Sequence, residues 1–178
     1  MNLNELRTVA KELLEYAQKQ SEVKEAEAYA SINSLNVYRI VYHSDIPSNG
    51  LEEPKSEEDF GVSLRILFKD GKYGMGVSDS DLTPSAFKEA YEKAFESRVK
   101  DDDFHSLPTP KGKATFTNYH DEKIMKVDEE KGIQKAYDLL SGAFSALKEK
   151  NFKEGTNITG ELDLISSKMA IASSTGIE

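Results

Sequence analysis

The chain has no cysteine. That absence removes disulfides, thiolate catalysis and cysteine-type zinc sites together, and it fits a reducing compartment. Histidine is scarce: only His43, His105 and His120 occur, and none stands at HxxxH or HExxH spacing. Basic runs are also missing. With a formal net charge of −9 over 178 residues, the chain lacks the clustered Lys and Arg that hold a phosphate backbone, so no nucleic-acid partner is expected. No stretch of about 18 consecutive apolar residues occurs, as a membrane-spanning helix would need. The opening Met1-Asn2-Leu3-Asn4-Glu5 has neither the basic region nor the apolar run of a signal peptide. The chain therefore reads as cytoplasmic, with no membrane partner.

What is present describes a folded α+β module. Hydrophobic residues make up 38% of the chain, enough for one sizeable core, and a single domain over residues 1–178 is the expectation. Leu6, Val9, Ala10, Leu13, Leu14 and Ala17 recur at the spacing of one helix face, with Asn4 as the expected cap. Lys24 to Ile32 and Val37 to Tyr42 alternate as strands, and the short Asn33 to Asn36 segment suggests a hairpin between them. Ser44 to Asp59, with its prolines, Asn49-Gly50 and acidic groups, reads as a surface loop. Val62, Leu64, Ile66 and Phe68, then Asp70-Gly71, then Tyr73, Met75 and Val77, spell a second hairpin, with a type I′ turn expected at Asp-Gly. Gly74 and Gly76 share one face of its second strand, which implies a close neighbour on that side.

Thr83-Pro84 reads as a helix start, and Phe87, Ala90, Tyr91, Ala94 and Phe95 form the buried stripe behind it. Leu107-Pro108-Thr109-Pro110 breaks regular structure, and a loop is expected to about Tyr119. A short helical turn at Glu122 to Lys126 precedes a long helix capped by Asp128, with Ile133, Ala136, Tyr137, Leu140, Ala143, Phe144 and Leu147 on one face. Asn157 to Ile165 and Lys168 to Ser173 alternate as two closing strands around Ser166-Ser167. The order is helix, four strands, two helices, two strands. It predicts an antiparallel sheet of about six strands backed by two long helices and the N-terminal helix.

No active site emerges from the residues. The histidines fit loop or surface roles better than zinc ligation. Asp101-Asp102-Asp103 beside His105 lacks the spaced aspartates of a cation loop and reads as a solvated helix terminus. Asp79 and Asp81 are placed for helix capping. Gly71, Gly74 and Gly76 lack the following Lys-Ser/Thr of a phosphate loop, so hairpin geometry explains them. Ser63 and Ser78 have no patterned histidine partner. Arg65, alone among apolar neighbours, calls for a carboxylate, and an internal one is favoured over a partner's. The expected catalytic, cofactor-binding and metal residues of this chain are therefore none.

One stretch carries a resemblance. Asp59 to Ser78, with its Gly61-x-x-x-Arg65 spacing, Asp70-Gly71 and Tyr73-Gly74, resembles the front of TldD/PmbA proteins. Asp81-Leu82-Thr83 before an alanine-repeating helix, Leu107-Pro108-Thr109-Pro110, and Ile171 to Gly176 follow in that family's order, so the similarity spans nearly the whole chain. The resemblance implies the N-terminal domain of a larger two-domain peptidase. The TldD-like subunit of such a protein holds zinc through HExxxH and a cysteine in its C-terminal domain and acts on small or unfolded polypeptides, the PmbA-like subunit lacks a competent site, and subunits pair as homo- or heterodimers. The first half does not assign the subunit type. No HExxxH occurs here, and the chain ends at Thr175-Gly176-Ile177-Glu178 inside what reads as a continuing sheet. This N-terminal half is thus expected to gate substrate and to form dimers. The alternative is a stand-alone interaction module whose acidic loops bind a basic protein.

Overall fold

The structure, a computed structural model, describes residues 1–46, 50–79, 81–112, 117, 121–151 and 155–177, with Met125 described by its backbone alone. The described elements are α1 (Leu3–Gln18), β1 (Val23–His43), β2 (Lys55–Phe68), β3 (Lys72–Ser78), α2 (Pro84–Glu96), β4 (Val99–Lys100), a 3-10 turn (Ile124–Lys126), α3 (Glu129–Glu149) and β5 (Asn157–Ser173). The strands form one sheet in the order β4-β3-β2-β1-β5. The fold is α+β, as expected.

Five strands stand where about six were predicted: two expected turns are absent, which merges four expected strands into two, and the two-residue β4 is added. Asn33 to Asn36 and Ser166-Ser167 lie inside the continuous strands β1 and β5. Their side chains bond sideways: Ser167 Oγ donates to Asn33 Oδ1 at 2.6 Å, and Ser56 Oγ to Asn36 Oδ1 at 2.6 Å. Polar residues that would favour a turn are satisfied by the next strand instead. The predicted loop at 44–59 is also shorter, since β2 begins at Lys55 and Leu51 bridges Ile40. Part of that prediction, Asn49, lies outside the described residues, as does Tyr119 at the end of the later loop. β4, two residues long, was not anticipated.

The chain divides into two compact units, one of residues 1–33, 59–115 and 167–178, the other of 34–58 and 116–166. In the first, α1 and α2 pack on one sheet face. Leu6, Leu13, Phe87 and Ala90 meet Val62, Leu64, Ile66 and the small Ala26, Ala28 and Ala30 of β1. α1 is capped by Asn2, two residues before the expected cap. Asn2 Oδ1 accepts the N–H groups of Asn4 and Glu5 at 2.9 and 3.0 Å, and the Glu5 carboxylate accepts the Asn2 N–H at 2.7 Å. Both orphan ends are satisfied reciprocally, which a cap at Asn4 would forgo. α2 begins as predicted, with the Thr83 hydroxyl accepting the Ser85 N–H and Pro84 opening the helix.

β2 and β3 pair antiparallel, Arg65 opposite Met75 and Leu67 opposite Tyr73. The connection is not type I′. The Gly71 N–H bonds Phe68 C=O at 3.0 Å and Gly71 alone carries a positive φ, of 79°. That is the pattern of a common turn followed by a left-handed glycine. Gly74 and Gly76 face α2, where a Cβ on either would overlap the carbonyl of Ala94 or Ala90. The missing side chains let helix and strand touch.

In the second unit α3, capped by Asp128 through the Lys131 N–H at 2.9 Å, buries Gly132, Ala136 and Leu140. Tyr38 and Ile40 of β1 are buried in the same unit, and the Tyr38 ring occupies the space a side chain at Gly132 would need. Phe144 meets Tyr42 edge to face at 4.6 Å.

Candidate interaction surface

Within the first unit, burying Ala26, Ala28 and Ala30 under the helices turns Glu25, Glu27 and Tyr29 to the opposite sheet face. Register adds Ser63, Arg65 and Leu67 from β2, and Val77, Met75 and Tyr73 from β3. Arg65 pairs there with Glu27, Nη2 to Oε1 at 2.6 Å, with the two side chains 31% and 13% exposed. The internal carboxylate that the sequence called for is thus Glu27. Arg65 Nε is buried without a hydrogen-bond acceptor among the described residues. Beside this pair Tyr29 OH donates to Met169 Sδ of β5.

The segment after α2 crosses part of this face. Phe104 packs at a tilt against Tyr73, ring centroids 4.7 Å apart, and Leu107 is buried with its N–H on Glu25 Oε2 at 2.7 Å. Thr175 Oγ1 then donates to Pro108 C=O at 2.6 Å. The prolines that exclude helix therefore lay an extended strap on the sheet. Beyond it the face stays open: Met75, Val77, Val99 and Met169 are 50%, 52%, 60% and 57% exposed. These exposed apolar groups surround a half-buried ion pair, which makes the face a candidate interaction surface.

The other candidate residues fall in structural roles. His43 Nδ1 accepts the Asp45 N–H at 3.2 Å, the His105 carbonyl faces Lys24 Nζ at 3.5 Å, and His120 lies outside the described residues. Asp101 caps its own turn through the Asp103 N–H at 3.0 Å, and Asp102 pairs with Lys100 at 2.6 Å. Asp81 accepts both the Thr83 hydroxyl and the Thr83 N–H at 2.7 Å. Those bonds, the hydroxyl first, hold its pKa below the usual carboxylate value. Among the described residues Asp79 makes no such cap; its charge, after Glu89, helps raise Lys93. Ser78 is buried, but its Oγ donates to the Glu89 carboxylate at 2.5 Å, and Ser63 stands opposite Val77 on the open face. Among the described residues no three His, Cys, Asp or Glu side chains gather to hold a metal, so zinc does not fit what is described here. No described helix is long and apolar enough to cross a membrane.

Sequence reasoning missed Arg98. One residue beyond the α2 cap, its guanidinium lies 3.5 Å from the Phe95 ring centroid and 5.7 Å from that of Phe68, and it donates to Phe95 C=O. A cation after a helix that ends in aromatics was the available signal.

Residues 48–98 match the family model described as PmbA/TldA metallopeptidase domain 1. Among curated proteins none matches. A proposed modulator of DNA gyrase from Bacteroides thetaiotaomicron superposes with a TM-score of 0.71 at 16% identity, over 99% of this chain and 38% of its own. TldE from Thermococcus kodakarensis gives 0.68 at 19%, over 95% and 35%. A second proposed gyrase modulator, from Thermotoga maritima, gives 0.63 at 16%, over 96% and 35%. The chain spans little more than a third of the length of these proteins.

Proposed function

We infer the function of this chain from its family: it belongs to the TldD/PmbA family, as an N-terminal domain. In this reading it is the non-catalytic scaffold of a cytoplasmic zinc-dependent peptidase that acts on small or unfolded polypeptides. The observation that carries the reading is the match of residues 48–98 to the first domain of a metallopeptidase family, on a chain whose described residues offer no metal-binding group. The catalytic zinc then belongs to a C-terminal domain, and this domain serves positioning, substrate gating and subunit pairing with a TldD-like or PmbA-like partner.

Two features support that division of labour. The open face around Arg65 and Glu27 exposes Met75, Val77 and Met169 in one unit, a surface suited to a partner domain or subunit. β5 forms the sheet edge opposite β4, and an edge strand can pair with an extended peptide through its main chain. A role on DNA gains nothing from a chain of net charge −9. The test is digestion of an unstructured peptide by zinc-loaded full-length protein, followed by mass spectrometry. Cleavage that chelation abolishes is expected; no cleavage with zinc demonstrably bound overturns the peptidase reading.

A further inference from the structure

A hollow of about 220 Å³ opens in the first unit between the β2–β3 turn and the end of α2, lined by Glu22, Phe68, Lys69, Asp70, Phe95 and Arg98. We propose that it binds a free apolar α-amino acid as its zwitterion. Its volume falls below the roughly 300 Å³ at which pockets for drug-sized ligands begin, which suits one amino acid and not a peptide. Its apolar lining is Phe68 and Phe95, which meet edge to face at 5.7 Å, with the Arg98 guanidinium covering one face of the Phe95 ring. An aliphatic side chain placed there is removed from water on that side.

The rim decides the chemistry of the head group. It carries two cations, Lys69 and Arg98, and two carboxylates, Glu22 and Asp70. A lone carboxylate ligand would meet two like charges, and a lone amine would meet the other two. A ligand bearing both signs on neighbouring groups, an ammonium and a carboxylate one carbon apart, can complement both pairs at once. The cationic side is preorganised. Stacking on Phe95 and a bond to Phe95 C=O fix the Arg98 guanidinium, and that bond uses few of its N–H donors. Its nearest carboxylate contact, Asp70 Oδ2, is 3.8 Å away, beyond hydrogen-bonding distance. On the other side the Lys69 N–H bonds Glu22 C=O at 2.8 Å, which keeps those two residues next to each other. Both carboxylates stay ionised through neutral pH. Glu22 is lowered first by the Ser21 hydroxyl, and Asp70 first by the Lys72 N–H.

The test titrates the full chain, labelled with nitrogen-15, with L-leucine and in parallel with N-acetyl-L-leucinamide, which keeps the side chain and loses both charges. Saturable amide shifts at Lys69, Asp70, Gly71 and Arg98 are expected for leucine, with the neutral analogue about tenfold weaker or more. The rim substitutions Lys69→Gln and Glu22→Gln, each at an exposed position, should weaken leucine several-fold with the melting temperature unchanged. Equal affinity for the two ligands, shifts confined to another region, or no saturable shift with leucine would each overturn the site. No peptide hydrolysis is read, so failure here leaves the family reading as it stands.

Discussion

Gly76 lies against Ala90 of α2 so closely that a methyl group on its Cα would overlap the Ala90 carbonyl oxygen and crowd the Ala94 N–H. Both neighbours are helix backbone, which cannot swing aside. Gly76→Ala should therefore push α2 off β3 and cost about 3 kcal/mol, at the upper end of ordinary overpacking. Urea denaturation measures it. Gly142→Ala is the control: Gly142 sits in α3 with nothing within 4 Å of its would-be Cβ, and the change should stabilise by up to about 1 kcal/mol. Equal effects at the two positions would contradict the close packing.

The Arg65–Glu27 pair makes a second prediction. Glu27 is the more buried partner, and Glu27→Gln leaves a half-buried guanidinium facing a neutral amide. Because Arg65 keeps some contact with solvent, the loss should be about 2 kcal/mol, less than for a fully buried pair. A double-mutant cycle with Arg65→Met reads the coupling directly, and a coupling near zero would show the pair to be incidental.

Acid should weaken the helix caps. Asp128 is lowered chiefly by its bond from the Lys131 side chain, then by the Lys131 N–H; Asp81 is lowered by the Thr83 hydroxyl. Each folded pKa lies below the unfolded value of about 3.9, so the unfolded chain binds protons first as pH falls. Their stabilisation is complete above that value and is lost as pH drops through the folded one. Asp128→Asn keeps a capping oxygen but cannot titrate, and should flatten the acid limb of a plot of urea midpoint against pH. An unchanged limb would mean that Asp128 gains nothing from the cap.

Tyr38 contributes to the alkaline limb, as Tyr91 does, whose hydroxyl burial and then Glu22 also raise. Burial, then Glu129 and Asp128, raise the Tyr38 hydroxyl above the ordinary value. The unfolded tyrosine ionises near pH 10 while the folded one keeps its proton, so this contribution is whole below about pH 10 and falls as pH rises beyond. Tyr38→Phe should be less sensitive to alkali than the unsubstituted chain in the same denaturation series. Identical alkaline slopes would rule out Tyr38 as a contributing group.

How far the fold could be read from sequence follows from which neighbour decides each element. α1, α2 and α3 were legible because their caps and apolar stripes are local, although Asn2 displaced Asn4 once Glu5 closed the capping box. The β2–β3 hairpin was legible from Asp70-Gly71, and Gly74 and Gly76 announced the helix above them. Asn33 and Ser167 misled because their preference for turns is weak and their partner is each other, on adjacent strands, a pairing no local pattern encodes. On the candidate surface, Arg65 declared its need for a carboxylate, while the choice of Glu27, the strap at Leu107 and the Arg98 hollow depend on strand order and on where α2 ends. Those are tertiary facts.

The central claim, a positioning domain whose chemistry lies elsewhere, is tested most directly by equilibrium dialysis of the full 178-residue chain against zinc, with the same sample then assayed on an unstructured peptide. The account predicts no stoichiometric zinc and no cleavage. One zinc retained per chain, or turnover of the peptide, would contradict it.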